Sequence, residues 1–261
     1  MPIDKEFVGQ VIDQSSGVLE KAYDDLAHPT AKSLGNTLSL IPRTIGVWFG
    51  KWEKWVINGE ESIRLTAQAV QEKAAKIPEE KLTEPEPYVA IPAVQQLSYC
   101  YDSEELREMY ANLLVSSMNS DTKWAVHPSY VDIIKQLTPD EAKLLKLIAR
   151  RNGLPIVDVD LKVKPKGYST VVHNFSDLID GICDRPQNAT AYLDNLARLK
   201  LVEIPTGVYL VDEHAYTSIE QHPKVAEIMN ANFVDGTKPA IRKKVVEITE
   251  FGKAFCEICL Q

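Results

Sequence analysis

Residues 85–148 constrain the fold most, because they repeat helix-start signals followed by apolar stripes at helical spacing. Asp102 is a predicted N-cap with Glu105 three residues later, a variant of the capping box. The TPDE run at 138–141 is a stronger start, with a Thr cap, Pro at the first helical position and Glu at the third. Pro128 is suited to begin another helix. The positions predicted to face a core are Leu106, Tyr110, Leu113, Leu114, Val131, Ile134, Leu137, Leu144, Leu145 and Ile148. The segment therefore predicts a series of packed α-helices.

The N-terminal part has helical periods as well. One helix is predicted before the HP pair at 28–29, and a second over about residues 31–58. The second has apolar residues at alternating steps of four and three, a heptad-like seam suited to packing on another helix. The seam consists of Leu34, Leu38, Ile41, Ile45, Trp48, Trp52 and Trp55, with Lys51 and Lys54 close by. A third helix is predicted over 60–76, and a proline-rich, linker-like stretch follows at 77–92. Helix signals resume at Ala93.

The pattern changes after residue 150. The alternating run IVDVDLKV at 156–163 predicts a strand, and SDLIDGIC a short helix. Asn188 is a predicted cap of the helix ATAYLDNLARLK, and LVEI, VYLV and KKVVEIT are predicted β segments. Thr249 is a predicted cap of a final helix. Helices followed by a hairpin-like strand pair are the order of a winged helix, here with an insert at about 212–240 that contains its own helix around 223–230.

The predicted fold class is mainly α, and α+β overall. An N-terminal helical bundle at 1–136 precedes a winged-helix-like α+β domain at 137–261. A length of 261 residues with 44% apolar and 25% charged residues suits a globular protein divided in this way.

Charge and cysteine content limit the function classes. The net charge of −8 argues against a broad electrostatic grip on nucleic acid, although it leaves room for a local one. The four cysteines have no disulfide-framework rhythm, and residues 1–20 lack a signal-peptide core, so we expect a cytoplasmic protein. No apolar run approaches the roughly 20 residues that span a bilayer.

Enzyme signatures are mostly missing from the sequence. We find no phosphate loop, HExxH, GxSxG or Rossmann glycine set, so the sequence favours a protein without catalysis and without a cofactor. Asp158 and Asp160 could hold a metal together with Asp177 or Asp180, but alternate carboxylates on a strand more often form a solvated face. The CxxC pair Cys256 and Cys259 is interpreted as packing, because no second pair completes a zinc site.

His127 precedes Pro128 at a helix start. A neutral imidazole could take part in chemistry near pH 7, but we favour a local role in capping the helix.

The winged-helix-like half is compatible with two functions, DNA binding and protein contact. Its predicted recognition helix, at 188–200, and its basic wing give a candidate nucleic-acid-binding set. That set is Asn188, Thr190, Asn195, Arg198, Lys200, Lys238, Arg242, Lys243 and Lys244. Asp194 in the middle of the helix argues against DNA.

The tryptophan seam also has two interpretations. A Trp-rich amphipathic helix with a basic rim can lie in a membrane interface, whereas its spacing suits burial in a bundle or a contact between protomers. The candidate membrane or partner residues are Ile45, Trp48, Trp52, Trp55, Lys51 and Lys54.

Four phrases follow one another between about residues 34 and 147: the Trp-rich helix, PEPYVAIPAVQQLSY, EELREMYANLLVSSMN and HPSYVDIIKQLTPDEAKLL. Together they resemble the abortive infection alpha family of bacterial phage-defence proteins. The resemblance implies a role in abortive infection, in which an infected bacterium stops growing or dies before phage can spread, and it carries over no catalytic residue. We therefore expect a defence protein that acts through a protein partner, a homo-oligomer or DNA, with peripheral membrane contact as the remaining alternative.

Overall fold

The computed structural model describes residues 60–97, 100, 103–151, 153–162, 167–233 and 237–261. This part of the chain contains ten α-helices and four β-strands. The helices are α1 (Glu60–Ala74), α2 (Pro87–Leu97), α3 (Glu104–Ser117), α4 (Ser129–Lys135), α5 (Pro139–Ala149), α6 (Asp177–Asp180), α7 (Ala189–Arg198), α8 (Thr217–Gln221), α9 (Pro223–Asn230) and α10 (Glu250–Cys259). The strands are β1 (Leu154–Lys162), β2 (Tyr168–Phe175), β3 (Val202–Glu203) and β4 (Lys238–Ile248). The α+β class is confirmed, whereas the helices predicted before residue 59 lie outside the described residues.

All four strands form one antiparallel sheet in the order β2-β1-β4-β3. The predicted pairing of LVEI with KKVVEIT is present, with Val202 opposite Ile248. Strand β1 pairs along its whole length with β4, and this pairing was not predicted. The β1–β2 hairpin therefore extends the sheet on the far side of β4. The winged-helix assignment itself stays a prediction.

The main hydrophobic core is built around α3. Met109, Tyr110, Leu113 and Leu114 of this helix are fully buried, because apolar side chains occupy every turn of its inner face. The same core continues into α5, α7 and α10, on the other side of residue 136. The predicted division at residue 136 stays a prediction, although one hydrophobic cluster includes buried residues from both sides of it.

Hydrogen bonds fix the C-terminal helix against α3. The buried Asn112 donates from Nδ2 to the carbonyl oxygen of Cys259 at 3.0 Å. Ser116, one turn later, donates to the carbonyl oxygen of Ile258 at 3.4 Å. Because the last carbonyls of a helix have no partner within the helix, these two side chains satisfy groups that burial would otherwise leave unpaired.

The predicted helix starts are largely correct. Thr138 and Glu141 form a complete capping box at α5, and Thr249 accepts a hydrogen bond from Gly252 N at α10. The prediction for α3 was wrong by one residue. Ser103 is the N-cap and accepts from Leu106 N at 3.3 Å, because its hydroxyl is the one that reaches the third helical N–H.

The helix expected to resume at Ala93 begins earlier, at Pro87. The last six of the sixteen residues interpreted as linker-like, 87–92, are therefore α-helical. Pro87 occupies the first helical position, where a missing N–H leaves no bond unmade. The helix tolerates Pro92 in its interior because Val89, Ala90, Ala93, Val94 and Leu97 are buried. Packing here outweighs the low helix propensity of proline.

The predicted insert packs on the other face of the sheet from the main core. Its α9 has the expected bounds, and a second cluster forms from Val157, Val159, Val172, Phe175, Tyr216, Ile219 and Val225. The strand predicted at VYLV, 208–211, is wrong. Instead, Leu210 N donates to the hydroxyl of Tyr216, which donates in turn to the carbonyl oxygen of Lys244. A side chain thus connects this segment to β4 in place of a strand ladder.

Candidate nucleic-acid interface

Helix α7 presents a narrow polar face. Tyr192, Leu193 and Leu196 are buried in the main core, so the residues left exposed are mainly Asn188, Ala191, Asp194 and Arg198. Asn188 precedes the helix as predicted but makes no side-chain cap bond; its Nδ2 donates to the Tyr192 hydroxyl at 3.5 Å. The exposed face therefore carries one acidic and one basic side chain.

Two of the candidate DNA contacts on α7 make hydrogen bonds to other groups of the protein. Asn195 donates from Nδ2 to the carbonyl oxygen of Gln136 at 3.0 Å and to Glu141 Oε1 at 2.9 Å. Arg198 donates to Asn195 Oδ1 and, from Nη2, to Gln136 Oε1 at 2.9 Å. This network holds α7 against the turn between α4 and α5.

Thr190 and Lys200 lie at the two ends of α7. The Thr190 hydroxyl donates to the carbonyl oxygen of His173 in β2 at 3.2 Å. Lys200 follows the helix with a φ of 61°, and its carbonyl oxygen accepts a hydrogen bond from the Thr249 hydroxyl. The Lys200 side chain is exposed. Of the candidate cations in this region, Lys200 and Arg198 are the ones with open access to solvent.

The sheet carries an ionic cluster, defined here as Asp158, Asp160, Asn174, Arg242 and Lys244. Asp158 and Asp160 are 3% and 7% exposed. Arg242 Nη2 is 3.0 Å from Asp158 Oδ2, and Arg242 Nε is 3.0 Å from Asp160 Oδ2. Lys244 Nζ lies 3.2 Å from both carboxylate oxygens of Asp158 and also donates to Asn174 Oδ1. Two cations thus neutralise two buried carboxylates.

Hydrogen bonds from neighbouring groups complete the cluster. The Thr170 hydroxyl donates to Asp160 Oδ1 at 2.6 Å, and Asn174 N donates to Asp158 Oδ1 at 2.8 Å. The hydrogen bond from Arg242 lowers the pKa of Asp160 below its ordinary value, against the opposing effect of burial. The same contact raises the pKa of Arg242. Both groups are therefore charged near neutral pH.

The expectation that Asp158 and Asp160 face solvent was wrong. They do share one face of β1, as alternate residues of a strand must, but β4 supplies two cations that cover them. Within the part of the chain that the structure describes, no group of three or more His, Cys, Asp or Glu residues is placed to hold a metal ion. The ionic cluster joins β1, β2 and β4 through ion pairs and hydrogen bonds, so it can hold these three strands in register.

The remaining basic candidates on β4 are Lys243 and Lys238. Lys243 Nζ is 3.0 Å from Glu220 Oε1 and lies over the ring of Tyr216. Lys238 is exposed at the start of the strand. Among the wing cations Arg242, Lys243 and Lys244, each has a carboxylate partner, so little free positive charge is left to attract phosphate.

His127 and the cysteines of the CxxC pair have structural roles: His127 orders a helix start, and the cysteines pack in the interior. His127 Nδ1 accepts a hydrogen bond from Ser129 N at 3.1 Å, at the start of α4. Cys259 is fully buried and Cys256 partly so. Burial raises the pKa of Cys256 to about 12 and that of Cys259 well above its ordinary value, which leaves both as thiols.

Asp140 holds an inter-helix junction that the sequence analysis missed. At the second position of α5, its carboxylate accepts from Asp184 N and Arg185 N, both at 2.9 Å, and from the Tyr192 hydroxyl at 3.0 Å. These hydrogen bonds outweigh burial, which alone would raise its pKa, and the pKa is lowered. The only sequence signal was an acidic residue in the first turn of a helix, which is common and usually solvated.

Comparison with known proteins decides the family. Residues 58–259 match the family described as abortive infection alpha. The chain belongs to that family. The match includes every described helix and strand, and it extends the resemblance from the central helices to the sheet and α10. No curated protein and no solved structure matches the chain significantly.

Family membership connects the chain with abortive infection and phage defence in general terms. It names no partner, and the nine candidate DNA contacts stay predictions. The candidate residues of the tryptophan seam, Ile45 to Trp55, lie outside the described residues. No helix in the described ranges is both long enough and apolar enough to cross a bilayer.

Proposed function

We propose that this chain is a non-catalytic phage-defence protein of the abortive infection type that acts by contact with another protein. The family match over residues 58–259 carries the proposal. Protein contact is favoured over nucleic acid because Arg242, Lys243 and Lys244 are paired with carboxylates at 3.0–3.2 Å. A DNA-binding surface needs cations that are free to replace the counterions of phosphate.

Exposed apolar side chains support protein contact. Trp124 is 84% exposed and Val211 is 91% exposed, and Tyr209 is also exposed on the loop that contains Val211. Large aromatic residues on a surface are typical of protein contacts, where they bury much area for little loss of conformational entropy. These side chains lie on two separate segments, 123–125 and 208–211, so they offer two independent positions to test.

The defence role is tested by phage plating. The chain is expressed in a bacterial host that is challenged with a panel of phages, and plaque numbers are compared with those of an empty vector. We expect fewer or smaller plaques for at least one phage, and Trp124→Ala or Val211→Asp to weaken the effect while the purified variants stay folded. Equal plating for the chain and the vector across the panel would overturn the defence role.

DNA binding is the second candidate function. It is supported by the position of β3, which follows α7 directly and pairs with β4 as a wing strand would. A sharp test changes the exposed Lys200 and Lys238 to Glu rather than Arg242 and Lys244, because the latter hold buried carboxylates in place. A salt-sensitive shift of duplex DNA that the double variant loses would support a DNA-binding regulator. Absence of any shift at low salt would exclude it.

A further inference from the structure

Strand β2 is an outer strand of the sheet. Among the described residues it pairs with β1 alone, and no described strand satisfies the backbone groups of its other edge. Its first half is open: Tyr168 is 70% exposed, Val171 is 45% exposed, and Ser169 is exposed between them. Its second half is closed by α7, through the hydrogen bond from Thr190 to the carbonyl oxygen of His173. The open edge is therefore the segment 168–172.

This edge lacks the features that usually prevent strands from pairing. Soluble proteins protect an outer strand with lysine or another charge, with proline, or by covering it. Strand β2 reads YSTVVHNF and contains no Lys, Arg, Asp, Glu or Pro. Three of its residues are β-branched and two are aromatic, a composition that favours extended pairing. An edge of this kind is a template for another strand.

We propose that segment 168–172 pairs antiparallel with the same segment of a second copy of this chain. The distribution of charge favours a second copy of the chain as the partner of this edge. The whole chain carries a net charge of −8, so two copies repel each other unless they meet where charge is absent. Segment 168–172 contains no charged side chain, and an antiparallel pair of identical strands is self-complementary about a twofold axis.

The pairing joins two sheets into one. Because β2 ends the order β2-β1-β4-β3, a twofold axis at its open edge gives a continuous eight-stranded antiparallel sheet. The centroid of the Tyr168 ring lies 5.9 Å from Arg242 Cζ within one copy, and in the joined sheet the ring also lies beside the β2 strand of the second copy. Five residues a side form a small interface, so we expect a weak dimer that dissociates in the micromolar range. The inference goes beyond the proposed function, because it concerns the purified chain and needs no phage.

The test measures mass against concentration. Sedimentation equilibrium of the full chain from about 1 to about 200 µM is expected to show a monomer–dimer equilibrium. Val171→Lys places a charge on both copies at the shared edge and is expected to weaken the dimer by at least about tenfold. Ile91→Lys, a comparable apolar-to-lysine change at an exposed position of α2, is the matched control and is expected to leave the dimer unchanged. Ser169→Lys replaces Val171→Lys if that variant does not fold.

Backbone hydrogen exchange adds a readout that side-chain effects do not move. Raising the protein concentration is expected to slow exchange in the peptide that contains residues 168–172, since strand pairing protects its free N–H groups. A wild-type chain that stays monomeric up to the highest concentration would overturn the inference. So would a dimer that Ile91→Lys weakens as much as Val171→Lys does, or one whose protection appears in another segment. None of these results bears on phage plating, so the defence role is judged separately.

Discussion

Arg242 of β4 lies directly opposite Asp158 in the strand register, yet it makes its paired hydrogen bonds with Asp160, two residues further along β1. The same guanidinium remains 3.0 Å from Asp158. One side chain therefore serves two buried carboxylates, which the planar, forked geometry of arginine permits. Arg242 and Asp160 lie 82 positions apart in the chain, and their contact fixes how β1 and β4 align.

Removing Arg242 is expected to destabilise the fold. In Arg242→Ala two buried carboxylates lose a partner, and we expect a fall in unfolding free energy of about 1–3 kcal/mol, less than for a fully buried pair because Arg242 is half-exposed. Arg242→Lys keeps the charge but loses the forked guanidinium group, so we expect its unfolding free energy to lie between those of Arg242→Ala and the wild type. Lys243→Ala, which removes a more exposed pair with Glu220, is expected to change stability by less than about 1 kcal/mol. Urea denaturation measures all three, and equal losses for Ala at 242 and 243 would contradict the ionic cluster.

Stability is expected to fall in acid through Asp140 and Asp160. The pKa of each folded carboxyl is held below the ordinary value of 3.8, so each contributes stability at pH values above its unfolded pKa. That contribution is lost as the pH falls through the folded pKa, in the window below about pH 4. Denaturant midpoints measured from pH 7 to pH 2.5 should therefore decline at the acid end.

Asp140→Asn isolates one part of this dependence. The amide cannot accept from Asp184 N, Arg185 N and Tyr192 as the carboxylate does, so we expect lower stability at pH 7, by about 1–3 kcal/mol, and a shallower acid decline. Asp194→Asn, at an exposed position on α7, is the control. An acid profile for Asp140→Asn that has the wild-type slope would show that Asp140 is not responsible.

Gly252 is expected to tolerate no side chain. A Cβ atom at this position would lie 1.9 Å from the carbonyl oxygen of Leu201, and backbone cannot move aside as a flexible side chain can. Gly252→Ala should cost about 3 kcal/mol or more, because α10 must move away from β3. Gly181→Ala, where the nearest atom is 3.8 Å away, should be close to neutral. Thermal melting distinguishes the two, and similar melting temperatures would mean that α10 does not pack as described.

The thiols are expected to be unreactive in the folded protein. Burial raises the pKa of Cys183 to about 11 and that of Cys256 to about 12, so the reactive thiolate is scarce at pH 8. A thiol reagent such as DTNB should modify the native protein slowly and all four cysteines rapidly in denaturant. Cys256→Ser should leave the slow native rate unchanged. Fast modification of one cysteine in the native state would instead point to a reactive site and reopen a chemical role for the CxxC pair.

Local features were predictable where the evidence lies within a few residues. The capping box at Thr138, the bounds of α9 and the cap at Thr249 depend on contacts two or three positions apart, which a sequence displays directly. The errors at Ala93 and at 208–211 arose where packing overrode propensity. Burial of one face held α2 together across Pro92, and the Tyr216 hydroxyl took the place of a strand partner for Leu210.

The sequence by itself determined the family, the α+β class and most helix starts, because helical periods, caps and recurring phrases are properties of neighbouring residues. Only the tertiary structure decided the state of the candidate site. From the sequence alone, the basic residues Arg242 and Lys244 are interpreted as phosphate contacts. In the fold, β4 lies beside β1, and Asp158 and Asp160 neutralise both cations. The open edge of β2 is also decided there, because whether a strand is an outer one depends on the order of the sheet and not on its own residues. Charge pairing and strand order are relations between distant segments, and periodicity contains no information about which segments meet.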